Sequence, residues 1–331
     1  MIKIKGNPLK NYKFIDLFCG IGGFHLALKS FGAECVFACY IDAEARKVYT
    51  NNFGITPKSD ILEIKNEDIP NHDILCAGFP CQPFSISGHR KGFSDELGRG
   101  KLFFEIIRIA KHHKPKIILL ENVKNLEKHD NSQTLTRINE ELANIGYTVY
   151  SKVLCASDYN IPQERKRIYI VAFRNDLEIN NFSFPQKHRS NRHLTDILLE
   201  EEENEIDGNY IIKREYVIDP EKNNDTPSVH LKRIGSIGLG RQGERIYSIF
   251  GQGATLSSQG GGLGGKTGMY LIDGVVRKLY PRECARLMGF PDDFKLADTQ
   301  EKNYKQFGNS VVVDVLQYIL VNILDVLKGA L

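Results

Sequence analysis

A cysteine held between two prolines is the first group in this sequence that could carry covalent chemistry. Cys81 lies in the loop AGFPCQPFSISG (77–88), where Pro80 and Pro83 stiffen the turn around it. A thiol fixed in a polar loop after a strand is a poor core residue, but it is a good nucleophile if its thiolate is favoured. The alternative interpretation is a half-buried, inert thiol.

A carboxyl group at the end of the apolar run KIILL is a candidate proton donor. Glu121 belongs to ENV (121–123), and its position predicts partial desolvation. Desolvation raises the pKa of a carboxyl group and lets it donate a proton near neutral pH. The alternative is a carboxylate at the surface.

Two arginines alternate along the extended segment QERKR (163–167). This spacing predicts that Arg165 and Arg167 face the same side of the chain. They could hold a carboxylate, a phosphate or a base oxygen in bidentate fashion. The alternative is a solvated basic edge.

The glycine-rich turn FCGIGG (18–23) follows a predicted strand and opens a predicted helix. Such a turn suits a nucleotide-like ligand, because the backbone can approach the ligand closely. The spacing of Gly20, Gly22 and Gly23 lacks the third glycine of a dinucleotide fingerprint. Phe18 could lie against a cation such as a sulfonium. The alternative is a plain tight turn.

Two acids follow later extended stretches. Asp42 ends the second predicted strand, where a ribose-binding acid is expected, and Asp60 could accept a hydrogen bond from an adenine amino group. Taken alone, each acid is more often a helix cap or a turn residue. Together with the glycine turn, they indicate a cofactor that contains adenosine.

Predicted strands alternate with predicted helices through the first half of the chain. The strands are 13–18, 35–42, 72–79, 116–123, 148–154 and 167–174, and the helices are 24–31, 43–52, 101–113 and 134–146. This alternation predicts an α/β protein with a mostly parallel sheet covered on both faces. Ligands of such sheets bind at the carboxyl ends of the strands. An amphipathic helix within 311–329 is expected to return to the same core.

A glycine-rich, basic region precedes that helix. Twelve of the 29 glycines lie between residues 235 and 268, and residues 226–291 carry nine basic side chains against three acidic ones. One interpretation is a loop-rich β subdomain whose glycines only make turns. The other is a surface on which backbone and side chains approach a polyanion.

Composition excludes several classes of protein. The 331 residues, with 41% hydrophobic and 26% charged, are ordinary for one large or two smaller folded domains, and the net charge of +3 names no partner. Apolar runs are shorter than the roughly 20 residues of a membrane helix, and the first residues do not resemble a secretion signal. We therefore expect a cytoplasmic protein. The seven cysteines form no CxxC pair, which argues against zinc and disulfides.

In their order, these motifs resemble those of the DNA cytosine-5 methyltransferases, in particular the small bacterial modification methylases. The matching motifs are FxGxGG at 18–23, GFPCQxFS at 78–85, ENV at 121–123, QxRxR at 163–167, RxxxxxECARLMGFPD at 277–292 and QFGNSV at 306–311. They cover almost the whole chain. The resemblance implies a Rossmann-like S-adenosylmethionine-dependent fold with a smaller β-rich target-recognition domain. It places the catalytic domain at 1–185 and 290–331, and the recognition domain at 186–289.

The resemblance also implies roles for individual residues. Cys81 would be the nucleophile, Glu121 the acid at the ring nitrogen of the base, and Arg165 the group that orients its carbonyl, with Arg167 in the same catalytic motif. The implied cofactor-binding residues are Phe18, Gly20, Ile21, Gly22, Gly23, Tyr40, Ile41, Asp42, Asp60, Ile61, Gly78, Pro80, Leu102, Asn309, Ser310 and Val311. The implied DNA-binding residues are Gln82, Ser85, Ser87, Arg165, Gln242, Arg245, Thr255 and Gln259.

The implied activity is methylation of cytosine in double-stranded DNA. The base is flipped out of the duplex, Cys81 adds to C6, and C5 takes a methyl group from S-adenosylmethionine, which becomes S-adenosylhomocysteine. The resemblance implies no metal, a monomer, and a restriction endonuclease that acts on the same site without a stable complex. The stretch QGERIYS (242–248) resembles the recognition segment of members that modify GCGC.

Two positions depart from the family pattern. Tyr40 stands where the family usually has a glutamate for the ribose hydroxyls, so we expect weaker cofactor binding but not inactivity. Gln259 stands where the members that modify GCGC have an aromatic residue. Three other interpretations are open: a tRNA cytosine-5 methyltransferase, an inactive DNA-binding relative, and an NAD enzyme. The tRNA enzymes usually carry a Cys-Phe-Thr signature that is absent here, and an NAD enzyme would explain only the glycine turn.

Overall fold

Six strands form the main sheet. The computed structural model describes residues 4–80, 101–188, 191–200 and 208–330. The strands are β1 (Lys13–Leu17), β2 (Glu34–Cys39), β3 (Ile74–Gly78), β4 (Ile117–Val123), β5 (Tyr147–Cys155) and β6 (Lys166–Arg174). Their order in the sheet is β2-β1-β3-β4-β6-β5. The β1–β2, β1–β3 and β3–β4 pairs are parallel, whereas β4–β6 is antiparallel, which confirms the mostly parallel sheet.

Helices cover both faces of this sheet. They are α1 (Gly23–Lys29), α2 (Ala43–Phe53), α3 (Lys101–His113) and α4 (Gln133–Asn144). Ile15 of β1 shares one core cluster with Ile106 of α3 and Ile138 of α4. Phe14 precedes Ile15 and therefore points to the opposite face, where its ring lies 5.4 Å from the ring of His25 in α1.

Three helices end the chain. They are α5 (Pro281–Leu287), α6 (Gln300–Asn309) and α7 (Val313–Ala330). Gln317 of α7 donates to Ser30 Oγ at 2.8 Å, which confirms that the last helix returns to the first part of the chain. The stretch Gln300–Lys328 could cross a membrane by length and composition alone, but 67% of its most apolar window is buried inside the protein, as in a core helix. The sequence analysis did not predict α6.

A second sheet lies in the glycine-rich region. Its strands are β7 (Val217–Ile218), β8 (Arg233–Ser236), β9 (Arg245–Ser248), β10 (Met269–Ile272) and β11 (Val275–Arg277), in the order β11-β10-β9-β8-β7. Ile234, Ile246 and Met269 lie in its small core. This sheet confirms the predicted smaller β-rich part.

Many of the crowded glycines pack against other backbone. A Cβ atom on Gly243 would lie 2.2 Å from the carbonyl oxygen of Gly261, and one on Gly260 would lie 1.7 Å from that of Gly265. The amide of Gly264 donates to Gly243 O at 2.9 Å. These glycines therefore let the loop at 260–265 pack directly on the turn that precedes β9.

Contacts divide the chain into two units. The first unit comprises Met1–Leu154, Lys166–Gln186 and Val315–Leu331, and the second comprises Cys155–Arg165 and Lys187–Asp314. The second unit extends past residue 289, where the sequence analysis ended the recognition domain. The amide of Val313, the first residue of α7, donates to the carbonyl of Met288, the residue that caps α5, at 3.1 Å.

A buried ion pair holds the second unit together at α5. Arg277 donates twice to Glu283, with both distances 2.7 Å, and the Glu283 side chain has no exposed surface. Glu283 also accepts from the amides of Tyr280 and Leu199. The Arg277 guanidinium lies 4.4 Å from the centroid of the Tyr280 ring.

We predict that Glu283→Gln destabilises the protein by about 3–5 kcal/mol, because the change leaves a buried cation without its counter-charge. Thermal and denaturant unfolding followed by circular dichroism measure the effect. Glu221→Gln, at an exposed turn, is the control and is expected to change stability by less than about 0.5 kcal/mol. If Glu283→Gln also changed the free energy of unfolding by less than about 0.5 kcal/mol, the prediction would be wrong.

Candidate active site

Glu121 and Arg167 form an ion pair at the end of β4. In the antiparallel β4–β6 pairing Glu121 lies opposite Tyr169, so Arg167, two residues away, is its diagonal neighbour on the same face. Arg167 Nε lies 3.1 Å from Glu121 Oε1, and the two side chains are 16% and 11% exposed. Glu121 is therefore a buried, paired carboxyl group and not a surface carboxylate.

The chain that leads to Cys81 begins beside this pair. Gly78, the last residue of β3, lies opposite Glu121 in the parallel β3–β4 register. The side-chain amide of Asn122 donates to Phe79 O at 3.3 Å and so fixes the strand end next to the half-buried Pro80. Sequence reasoning found the ENV motif but missed this role of Asn122. Cys81, Gln82, Ser85 and Ser87 lie outside the described residues.

The hydrogen-bond partners of Arg165 differ from the ion-pair partner of Arg167. The residue is 2% exposed, and its guanidinium group donates to three backbone carbonyls of the second unit, those of Leu256, Gly308 and Ser310. The side chain therefore holds protein backbone, which disagrees with its predicted role at the base carbonyl. The buried Gln163 was also missed. It donates to Leu287 O at 2.8 Å and accepts from the Leu256 amide at 3.1 Å.

The glycine turn adopts left-handed backbone at three positions. Phe18, Gly20 and Gly22 have φ values of 55°, 56° and 92°. For a residue with a side chain, such as Phe18, this conformation costs about 1–3 kcal/mol. A Cβ atom on Gly22 would lie 2.2 Å from the Phe53 ring, so a glycine is required there. A Cβ atom on Gly20 would meet none of the described atoms within 4 Å, which leaves its backbone open to a ligand.

Both predicted cofactor acids cap helical turns. Asp42 Oδ1 accepts from the amides of Glu44 and Ala45 at the start of α2, and Asp60 Oδ1 accepts from the Leu62 amide. The stretch before Asp60 is held against the edge of β2, because Lys58 exchanges backbone hydrogen bonds with Ala38 and Tyr40. The second acid is thereby brought close to the end of β2, the strand that the first acid follows in the sequence.

Other predicted cofactor residues surround these acids in the sequence. Ile41 is 72% exposed, an unusual exposure for a large apolar side chain. Leu62, which the sequence analysis did not name, is also exposed, at 60%. Ile21 and Ile61 are buried, whereas Leu102 is half-buried and packs on the main core. Tyr40 is half-buried, and its ring packs on the cluster of Cys19, Ala38 and Tyr49. Gly23 is the first residue of α1.

The last predicted cofactor segment lies in the second unit. Asn309 is the exposed final residue of α6, and Ser310 and Val311 after it are buried. Arg165 Nη2 lies 3.0 Å from Gly308 O and 2.7 Å from Ser310 O. The backbone on both sides of Asn309 is therefore fixed by one guanidinium group.

Most described thiols are poor nucleophiles. Burial raises the pKa of Cys35 and of Cys39 to about 12, and it raises the pKa of Cys19, Cys76 and Cys284 well above the usual value. These five thiols stay protonated at neutral pH and behave as small apolar side chains. Among the described residues, no group of three or more His, Cys, Asp or Glu is arranged to hold a metal ion.

Comparison with known proteins decides the family. Residues 12–325 match the model of the C-5 cytosine-specific DNA methylases. The chain belongs to this family of DNA methylases. It is 50% identical to the type II methyltransferase M.HhaI of Haemophilus parahaemolyticus, over 98% of this chain and 97% of that protein. It is 41% identical to M.HaeII of Haemophilus aegyptius, over 97% of this chain and 96% of that protein. The protein is thus a DNA cytosine-5 methyltransferase, and M.HhaI and M.HaeII are both named as type II methyltransferases.

Solved structures share the fold of this methylase. The Dnmt2 methyltransferase of S. pombe superposes with a TM-score of 0.67 at 24% identity, over 95% of this chain and 98% of that one. The methyltransferase EhMeth of Entamoeba histolytica superposes with a TM-score of 0.72 at 20% identity, over 95% of this chain and 98% of that one. These likenesses confirm the predicted S-adenosylmethionine-dependent methyltransferase fold.

The predicted DNA-binding residues of this methylase that are described lie in the second unit. Gln242 is exposed in the turn before β9, and Arg245, at the start of β9, is half-buried with its Nε 3.4 Å from Gly240 O. Thr255 and Gln259 are exposed on either side of the buried Leu256. The Thr255 hydroxyl donates to the backbone carbonyl of Glu164.

Proposed function

We propose that this methyltransferase is the modification enzyme of a restriction–modification system, and that it methylates a flipped cytosine through a covalent bond between Cys81 and C6. The observation that carries the proposal is the buried Glu121–Arg167 pair beside the strand end that leads to Cys81. The family membership supplies the substrate and the reaction. The relatives M.HhaI and M.HaeII, both named as type II enzymes, support the role in modification.

The chemistry explains why a thiol and a carboxyl group are needed together. Addition of the Cys81 thiolate to C6 breaks the aromaticity of the ring and makes C5 electron-rich, while Glu121 delivers a proton to N3. When bound, S-adenosylmethionine supplies the methyl group from its sulfonium. A water molecule acting as base then takes the proton from C5, and the thiolate is expelled. N3 returns its proton to Glu121, so the ring, Glu121 and Cys81 all regain their starting forms. A target carbon inside the duplex cannot be reached, so the base must first be rotated out at a cost of a few kcal/mol.

We assign the contact with the base carbonyl to Arg167 and not to Arg165. Arg167 already touches the carboxyl group that must face N3, and the cytosine carbonyl is adjacent to N3 on the ring. A guanidinium group offers donors to a carboxylate and to a carbonyl at once. Arg165 is occupied by backbone carbonyls.

The residues at the ends of β1 and β2 fit an adenosine-containing cofactor. The fit rests on the open backbone at Gly20, the two carboxylates of Asp42 and Asp60, and the exposed apolar side chains of Ile41 and Leu62. Carboxylates accept from the ribose hydroxyls and the adenine amino group, and the apolar side chains suit the faces of the base. Phe18, Gly78, Pro80 and Leu102 would complete this set. The resemblance to the family also implies a cofactor-binding role for Asn309, Ser310 and Val311.

The second unit would carry the recognition of double-stranded DNA. We assign catalysis and the cofactor to residues 1–185 and 290–331, and target recognition to residues 186–289. Gln242, Arg245, Thr255 and Gln259 are the proposed contacts, with Gln82, Ser85 and Ser87 at the opened duplex. Arginine pairs with guanine edges in the major groove. The QGERIYS segment supports GCGC as the target.

The same proposal extends to the cell. The enzyme would act as a monomer on chromosomal DNA in the bacterial cytoplasm, without a metal ion. A restriction endonuclease that cuts the same site would be its counterpart, without a stable complex between the two. S-adenosylhomocysteine would be the product that must leave after each turnover.

Bisulfite sequencing of DNA treated with the protein and S-adenosylmethionine tests this function. We expect protected cytosines at one position of a short repeated sequence, with GCGC as the expected site. Protection at another sequence would contradict GCGC as the target but would support the methylation activity. Unmodified DNA after long incubation would contradict the proposed activity.

We predict that Arg245→Ala relaxes the choice of target by about 5- to 150-fold, because a bidentate arginine–guanine contact discriminates by about 1–3 kcal/mol. Methylation of duplexes with one altered base pair, compared with the proposed site, measures the ratio. Lys222→Ala, whose ammonium group pairs with Asp219 at 2.6 Å, is the control on the same unit. An unchanged preference in the Arg245 variant would exclude it as a base-reading residue.

Cofactor binding is expected to be weak but measurable, since Tyr40 offers a phenol where the family has a carboxylate. Tyr40→Phe keeps the ring packing and removes the hydroxyl, so we predict roughly 2- to 10-fold weaker binding, the value of one neutral hydrogen bond. Calorimetric titration with S-adenosylmethionine gives the affinity of both proteins. Equal affinities would show that the phenol does not contact the ribose.

A further inference from the structure

Arg165 joins two distant segments of the second unit. One guanidinium group binds Leu256 O through Nη1 at 2.8 Å, and Gly308 O and Ser310 O through Nη2 at 3.0 and 2.7 Å. Leu256 belongs to residues 253–259, which we call the recognition loop. The other two carbonyls belong to residues 308–311, which we call the GNSV segment.

The recognition loop is fixed at its centre and exposed at its sides. Gln163 accepts from the Leu256 amide while Arg165 binds the Leu256 carbonyl, so both polar groups of that residue are held. Gly253 exchanges hydrogen bonds with the chain at Pro162 and Glu164. The proposed DNA contacts, Thr255 and Gln259, are exposed on either side of this anchor. A shift of the anchor would therefore move both contacts.

The two segments also touch directly. A Cβ atom on Gly308 would lie 2.2 Å from the amide nitrogen of Ser258 and 2.4 Å from the carbonyl carbon of Ser257. Backbone therefore packs on backbone, with no side chain between them that could absorb a movement. Arg165 binds both segments beside this contact, so neither can shift without moving the guanidinium group or breaking one of its hydrogen bonds.

We propose that Arg165 is a positioning residue that couples DNA recognition to cofactor binding. This inference rests on the proposed function, in which the recognition loop meets DNA and the GNSV segment meets the cofactor. DNA that orders the recognition loop also orders the GNSV segment through Arg165, so the cofactor has less to immobilise when it binds. Linkage requires the converse, that the cofactor strengthens DNA binding by the same factor.

The residue type fits this role. A guanidinium group is planar and rigid and carries five N–H donors, so it can serve three carbonyls in fixed directions at the same time. An ammonium group keeps the charge but is a flexible point donor. Arg165→Lys should therefore keep the cation in place and lose the rigid connection between the two segments.

The test measures the affinity for S-adenosylhomocysteine by calorimetry, without DNA and with a duplex that contains the cytosine identified by bisulfite sequencing. The product is used because it binds without turnover, and the ratio of the two dissociation constants is the coupling factor. For the wild-type protein we expect roughly 5- to 150-fold, the usual range of such couplings. For Arg165→Lys we expect a factor near one, with each ligand still bound separately.

Two further variants complete the test. Gly308→Ala keeps the Arg165 side chain but inserts a methyl group between the segments, and should also lower the coupling factor. Arg282→Lys is the matched control, because Arg282 binds the carbonyls of Pro291 and Phe294 in the same unit but neither coupled segment. The Arg282→Lys variant should keep the coupling factor of the wild-type protein. Circular dichroism confirms that each variant is folded.

The outcomes separate the two proposals. A wild-type coupling factor in the folded Arg165→Lys variant would overturn the inference, and so would a factor of one in the wild-type protein. In either case methylation found by bisulfite sequencing would leave the proposed function standing. If the wild-type protein bound neither ligand, the proposed function would fail and the inference with it.

Discussion

Replacing Cys81 by alanine should abolish methyl transfer and leave DNA binding intact. The thiolate is the group that would break the aromaticity of the ring, and no other step makes C5 reactive enough to take a methyl group. We expect turnover to fall by at least about 10⁴-fold, as for other enzymes that lose a covalent nucleophile. Tritium transfer from labelled S-adenosylmethionine measures turnover, and gel shift measures binding to the duplex.

The control and a second readout make this prediction specific. Cys155→Ala removes a different thiol, which is half-buried and lies 3.1 Å from Ser157 Oγ, and should keep full activity. DNA with 5-fluorocytosine at the target should form a denaturation-resistant adduct with the wild-type protein but not with the Cys81 variant. If the Cys81→Ala variant still transferred methyl groups, the covalent mechanism would be wrong.

Replacing Glu121 by glutamine should slow catalysis by about 10²- to 10⁴-fold, the range that positioned proton donors supply. An amide cannot deliver a proton to N3, so the electron density that the thiolate pushes into the ring is no longer neutralised. Single-turnover kinetics with saturating DNA and cofactor measure the chemical step. DNA binding should change far less, because the carboxyl group acts at the reacting base.

Glu105→Gln is the matched control for this variant. Glu105 is also a partly buried glutamate of the first unit, and it pairs with Arg108 at 2.7 Å. Its loss should cost some stability but leave the chemical step unchanged. If both variants slowed the reaction equally, the effect would come from a lost ion pair and not from a lost proton donor.

The sheet and most of its helices were predictable because their patterns are local. Apolar runs that end in Gly78 or Glu121 correspond to strands, and the spacing of α3 and α4 corresponds to helices. Helix α6 was missed for a physical reason. Its buried face includes the polar Asn303 and Gln306 beside Tyr304 and Phe307, so an apolar period does not reveal it.

The candidate site was only partly predictable. The Glu121–Arg167 contact depends on the pairing of strands nearly 50 residues apart in sequence, which motif spacing does not specify. The partners of Arg165 lie between 91 and 145 residues away, so alternation along QERKR could not distinguish its role from that of Arg167. The capping by Asp42 and Asp60, in contrast, follows from acids placed just before helical turns.

The antiparallel pairing of β4 with β6 makes the proposed proton donor sensitive to insertions. Successive side chains of a strand alternate between its faces, so one extra residue between Arg167 and Tyr169 would carry the guanidinium group to the far side of the sheet. Glu121 would then be a desolvated acid with no cation beside it. The enzyme should therefore tolerate an added residue in the exposed turn after β6, at Asn175 and Asp176, far better than a single insertion within the strand.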